Sequence, residues 1–157
     1  MNFLVEFLEN LLEIVQTKLG GSLPVVFRPW GSFKTIFEEE DCALEDITLE
    51  DISENNPLEH LSTFKIKIIK VDPDKRLSLQ SHRYRSEHWV IVQGNALVTI
   101  GEDDVRLERN QNIYIPKGAK HRIKNIGNIQ LILVETQIGC YLGDDDIVRY
   151  SDDFGRE

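Results

Sequence analysis

Apolar positions change their period along the chain. Over residues 3–15, Phe3, Leu4, Phe7, Leu8, Leu11, Leu12 and Val15 recur at helical spacing, with Glu6, Glu9 and Glu13 mostly opposite. That pattern predicts an amphipathic helix, and Gly20-Gly21 would end it. From Phe64 onward the period shortens towards two, and turn residues divide the chain into short β-rich runs. The first, residues 64–71, closes at Asp72-Pro73-Asp74, and residues 76–82 then alternate through Leu77 and Leu79. Residues 88–100 are broken near Gly94-Asn95 by a hairpin-like turn. Residues 105–107, 113–115, 121–125 and 129–135 follow, with Gly118 and Gly127 marking turns. About seven short strands with no helical period between them predict an all-β sandwich or barrel and disfavour a parallel βαβ sheet. The expected organisation is a helical residues 1–21 followed by one β domain, residues 22–157.

Charge changes this picture at one place. The chain of 157 residues carries a net charge of −9, yet residues 38–61 hold ten acids and no Lys or Arg. Outside that segment 17 acids meet 18 bases. The acidity therefore belongs to an insertion at about residues 38–61, read as a solvated loop, and not to the fold. Counterion release needs a clustered basic face, so nucleic acid is not expected as a partner. No run of 18 apolar residues is present, and the acidic face of the first helix would be repelled by anionic lipid, so no membrane partner is expected. The first residues lack a positively charged n-region, and Cys42 and Cys140 lie far apart in no metal or redox spacing. A reduced, cytoplasmic setting follows as the expectation.

The candidate chemistry lies in two clusters. In Gln80-Ser81-His82, residues two apart on a strand share a face, so Gln80 and His82 point together. Glu87 follows a turn of charged residues, at the start of the next strand. Pro116 and Gly118 would shape a tight turn that brings His121 to the same interior. Two imidazoles, a carboxylate and an amide oxygen suit one divalent ion, which could be zinc, manganese, iron, cobalt or nickel. Thiolates are missing from the set, which argues against a closed structural zinc site. His60 joins no pattern, and His88 should face away from Glu87.

These residues also carry a resemblance. His82-x4-Glu87-x6-Gly94 and Pro116-x-Gly118-x2-His121-x3-Asn125 resemble the two cupin motifs. The family commonly has histidine where this chain has Gln80, and glycine where it has Asn110; glutamine at the first position is familiar in phosphomannose isomerases. Arg28-Pro29-Trp30-Gly31-Ser32-Phe33, Glu87-His88-Trp89 and the segment from Gly143 to Arg149 extend the match. Together they resemble the C-terminal domain of bifunctional type II mannose-6-phosphate isomerase/mannose-1-phosphate guanylyltransferase proteins, over about residues 25–156 and interrupted by the acidic segment. The nucleotidyltransferase half has no counterpart here, so that activity is not carried over.

The resemblance implies a double-stranded β-helix (jelly-roll) barrel and metal-dependent interconversion of mannose 6-phosphate and fructose 6-phosphate, feeding mannose and GDP-mannose metabolism. It implies metal ligation by Gln80, His82, Glu87 and His121, and proton movement between C1 and C2 through an enediol. Glu87 is compromised as the base if it is a ligand, and the sequence names no other. Arg149 and Arg85 are the leading choices for catalytic contact with the sugar phosphate, since arginine binds phosphate oxygens in pairs. Lys117 and Lys120, beside the second motif, are further substrate-binding choices. Pairing of cupins through strands points to a homodimer. The alternatives are another sugar-modifying cupin enzyme, or a non-catalytic sugar-phosphate-binding module.

Overall fold

A computed structural model describes residues 24–38 and 63–151. The helix expected over residues 3–15, Cys42, His60 and nearly all of the acidic segment lie outside the described residues. The described residues form eleven strands: β1 Val26–Arg28, β2 Gly31–Glu38, β3 Thr63–Val71, β4 Leu79–His82, β5 Arg85–Gln93, β6 Ala96–Ile100, β7 Asp103–Leu107, β8 Asn112–Ile115, β9 His121–Asn125, β10 Leu131–Gly139 and β11 Ile147–Ser151. They build a six-stranded sheet in the order β1-β2-β3-β10-β5-β8, facing a five-stranded sheet in the order β11-β4-β9-β6-β7. Every pairing is antiparallel.

Three neighbouring strands explain where the core ends and the site begins. Their inward positions are apolar at one end: Ile69 and Val71 on β3, Leu131 and Leu133 on β10, Trp89 and Ile91 on β5, all buried. Facing them, Ala96, Val98 and Ile123 of the second sheet are fully buried. Burying each such side chain contributes about 1.5–3 kcal/mol. At the other end the same inward register continues with polar residues: Lys65 and Lys67, Glu135 and Gln137, Arg85 and Glu87, all buried. Strand register sets them in rows, with Lys67 opposite Glu135 and Glu135 opposite Trp89, then Lys65 opposite Gln137 and Gln137 opposite Glu87. The barrel thus has a dry end and a polar cup.

The turns obey local rules. Gly94 (φ 86°) makes the expected β5–β6 turn, and Asn110 adopts φ 69°. Asparagine tolerates that left-handed conformation better than most residues, which accounts for Asn110 standing where the motif has glycine. Asn125 acts as a staple, donating from Nδ2 to Val71 O (2.9 Å) and Ile129 O (2.8 Å) and accepting from Gly127 N (2.9 Å).

Three strands were not legible as such. β1 and β2 have mostly half-buried or exposed positions, and β11 exposes Val148 and Tyr150, so none shows clean alternation. Two expected runs have other bounds. Residues 76–78 are not strand: Arg76 makes a single bridge to Lys124, and β4 is short. β10 runs on to Gly139 because Gln137 keeps the inward register.

Candidate metal centre

The two motifs converge at the polar cup. β4 ends on His82, β5 carries Glu87 and β9 starts on His121, all three buried. The turn at Pro116–Ala119 uses Gly118 (φ 78°), whose N–H bonds the carbonyl of His82 at 2.7 Å. That bond ties the second motif to the first. His121 Nδ1 lies 2.9 Å from the Ala119 carbonyl, so the tautomer protonated at Nδ1 leaves the Nε2 lone pair facing inward.

His82 Nε2 stands 3.1 Å from Glu87 Oε1, and His121 Nε2 stands 3.5 Å from Glu87 Oε2. Neither imidazole contact is aligned as a hydrogen bond: both Nε2 atoms, His82 Nδ1 and Gln137 Oε1 are buried without a hydrogen-bond partner among the described residues. Buried polar atoms are normally paired, so two orphaned Nε2 atoms aimed at one carboxylate call for a ligand. One donor atom from each of His82, Glu87 and His121 falls within 4.8 Å of the others. Ligand atoms bound at about 2.1 Å to a single ion sit roughly 3–4 Å apart, so the trio could hold a divalent metal after a small contraction. Gln80 lies directly opposite His121 in the β4–β9 register, lines the cavity, and accepts a hydrogen bond from Ser78 Oγ at 3.1 Å.

Around these groups stands a supporting shell that the spacing motifs did not announce. Trp89 Nε1 donates to both Glu87 Oε2 (3.1 Å) and Glu135 Oε2 (3.2 Å). Gln137 Nε2 donates to Glu135 Oε1 at 2.5 Å, and Arg85 Nε donates to Glu87 Oε1 at 3.4 Å. Arg85 Nη1 also donates to Gly143 O at 2.9 Å. Asp146, which follows Gly143 by three residues, accepts from Arg83 N (3.0 Å) and Tyr84 N (3.1 Å) and so fixes the turn between His82 and Glu87. The signal for Glu135 and Gln137 was present in the sequence: an alternating apolar series, Leu131 and Leu133, switches to polar side chains without losing its period.

Burial opposes ionisation of Glu87, but contacts with His121 and His82 and their charges outweigh it and hold its carboxyl well below the usual range. Burial alone would also depress His121, and Glu87 beside it reverses the sign and raises it. Glu135 is pushed up to about 7, first by burial and then by the charge of Glu87, with Lys67 and Arg85 opposing. A sign follows for the metal-free protein. Between the ordinary value of 4.5 and about 7, the folded chain keeps a proton on Glu135 that the unfolded chain has lost. Stability therefore falls as pH rises through that window, by up to about 1.4 kcal/mol per unit from this group. Urea denaturation of the metal-free protein at several pH values should show this fall, and Glu135→Gln should flatten it; an equal slope in the variant would sink the assignment.

The cavity has a volume of about 240 Å³ and reaches Gln80, Arg85, Glu87, Glu135 and Arg149. Its size suits one small molecule and not a polymer. Arg149 lies opposite Gln80 in the β11–β4 register, so both leading arginines come to the cavity. Lys117 and Lys120 do not line it; both are exposed, and Lys120 Nζ sits 4.2 Å above the Tyr150 ring. His88 faces outward as expected and packs on Tyr114 at 4.8 Å.

A jelly-roll barrel that gathers two histidines and a glutamate on its inner wall defines a cupin. Solved structures agree on the fold: the cupin domain of Schizosaccharomyces pombe Cnp3 matches at TM-score 0.56 and 19% identity, covering 75% of this chain and 69% of that one. The capsular polysaccharide assembling protein CapF of Staphylococcus aureus matches at TM-score 0.61 and 13% identity, over 83% of this chain and 34% of its own. The family model "Mannose-6-phosphate isomerase C-terminal" matches residues 52–152, and the chain belongs to that family. Xanthan biosynthesis protein XanB of Xanthomonas campestris pv. campestris is 43% identical over 131 residues, 83% of this chain and 23% of its own length. The mannose-1-phosphate guanylyltransferase of Sinorhizobium fredii is 40% identical over 134 residues, 85% of this chain and 22% of its own. Alginate biosynthesis protein AlgA of Pseudomonas aeruginosa is 40% identical over 131 residues, again 83% and 23%. The chain thus spans about a quarter of the length of these relatives. Among the described residues, no helix is long and apolar enough to cross a membrane.

Proposed function

We propose that this cupin domain interconverts mannose 6-phosphate and fructose 6-phosphate with one divalent ion, zinc first among the candidates. The observation that carries the reading is the pair of orphaned imidazole nitrogens facing Glu87, which itself lines a cavity with four basic side chains on its wall. The family model named for mannose-6-phosphate isomerase supports the choice of reaction. His82, Glu87 and His121 would hold the ion, and Gln80, its carbonyl oxygen steadied by the Ser78 hydroxyl, would supply a fourth donor. When bound, such an ion supplies Lewis-acid stabilisation of charge developing on a sugar oxygen. The chain's own part is to hold that sugar in one pose. Arg149 reaches the cavity from β11, and Arg85 braces Glu87 while also lining the cavity. Trp89 and Gln137 keep Glu135 in place on the wall.

A coupled assay for fructose 6-phosphate formed from mannose 6-phosphate tests the reading. Turnover by the full chain, abolished by a chelator and restored by added zinc, is the expected result. Sugar-phosphate binding without turnover would instead make this chain a non-catalytic sugar-phosphate-binding module.

A further inference from the structure

Two cations on the cavity wall take no part in the metal centre. Arg28 on β1 and Lys67 on β3 both approach Phe33 on β2, with Arg28 Cζ 5.5 Å and Lys67 Nζ 5.1 Å from the ring centroid. All three residues line the cavity that reaches Glu87. The Lys67 side chain is only 10% exposed, and its nearest ion partner, Asp144, stands at 3.8 Å and is itself 76% exposed. A long contact to a solvated carboxylate compensates little for burying an ammonium group. Arg28 Nη1 bonds only the neighbouring Phe27 carbonyl among the described residues, leaving most of its guanidinium fork unused. By contrast, Arg85 is committed through Nε to Glu87 and through Nη1 to Gly143.

Position matters as much as charge. β10 separates β3 from β5, so Lys67 stands two strand spacings, about 10 Å, across the sheet from the strand of Glu87. That separation suits a hexose chain with its carbonyl end near the His82–Glu87–His121 group and an anion on its far carbon. Four basic and three acidic side chains line the cavity, an excess of one positive charge that a divalent ion would raise to three. A doubly charged anion is the matching guest.

We propose that Arg28 and Lys67, with Phe33 between them, form the subsite that grips the phosphate of a phosphate monoester. The identity of the sugar rests on the isomerase reading, whereas the subsite requires only an anion. The test uses calorimetric titration of the full, metal-loaded chain with inorganic phosphate and with mannose 6-phosphate, alongside the turnover assay. R28Q and K67M should each weaken both ligands at least tenfold and raise KM for mannose 6-phosphate, with metal content as in the parent. K70M removes the same charge from the exposed face of β3 and should leave the affinities as they are. Phosphate affinity within twofold of the parent in R28Q and K67M, no phosphate binding by the parent, or an equal loss in K70M would each overturn the subsite. Should K67M fail to fold, R28Q, altered at an exposed position, decides the matter. Phosphate binding that depends on Arg28 and Lys67 without any turnover keeps the subsite and removes the isomerase; turnover with unaltered KM in the variants does the reverse.

Discussion

On the proposed isomerase reading, Glu87→Gln should abolish metal binding and lower mannose 6-phosphate turnover at least a hundredfold. No other described side chain touches as many parts of the site. Its two oxygens stand within 3.5 Å of His82 and His121 and accept hydrogen bonds from Trp89 and Arg85. The amide keeps the shape but lacks the negative charge that would balance a divalent ion, and it is a weak ligand. Losing an outer partner of a metal ligand already costs roughly 10–100-fold in affinity or activity, so loss of the charged ligand itself should exceed that. Metal content after dialysis, measured beside turnover, is the check. A variant that retains stoichiometric metal and parental activity would remove Glu87 from the centre and leave the carboxylate reading to Glu135.

Gly31→Ala should cost at least about 3 kcal/mol of folding stability. Gly31 adopts φ +144°, and a Cβ there would lie 2.0 Å from the Lys70 carbonyl oxygen and 3.2 Å from Val71 Cα. Both are backbone atoms at the end of β3 that is paired on both sides, with β2 and with β10, so neither can swing aside. The close approach has a purpose: Trp30 is buried beside it, and its carbonyl accepts from Asp72 N at 3.0 Å. Gly118 provides the contrast. It also has positive φ (+78°), but nothing lies within 4 Å of its would-be Cβ. Gly118→Ala should therefore cost only the backbone strain, about 1 kcal/mol. Chemical denaturation of both variants decides between a steric and a purely conformational account, since equal losses would refute the steric one. Because Arg28, Trp30 and Phe33 share a short hairpin and line the cavity, Gly31→Ala should also weaken phosphate binding.

The sequence exposed the barrel and the three side chains that meet in its cup for a physical reason. His121 opens a strand just after a turn built on Pro116 and Gly118, and Glu87 stands on the strand that Gly94 ends, so chemistry and punctuation reinforce each other. Glu135 and Lys67 escaped because each sits mid-strand with no turn residue nearby, and a charged residue there reads equally as solvent-facing. Only the alignment of β3, β10 and β5 turns those separate polar positions into one cup. Arg28 escaped for a different reason: β1 is three residues long and has no alternation to place it. Lys117 and Lys120 were attractive through nearness in sequence to His121. The turn at Gly118 brings the histidine in and leaves both lysines exposed. β2 and β3, which flank the acidic segment in sequence, are adjacent and antiparallel, and Glu38 and Lys65 at their paired ends form an ion pair.

Asp146 holds the loop between His82 and Glu87 from 62 and 63 residues further along the chain. During synthesis both candidate metal-binding motifs therefore leave the ribosome before the segment that braces them. A nascent chain can pair its core strands early, but its cup acquires a fixed loop and Arg149 together, with the arrival of β11. Competence to hold a ligand therefore comes after the core strands have paired, in the order of translation.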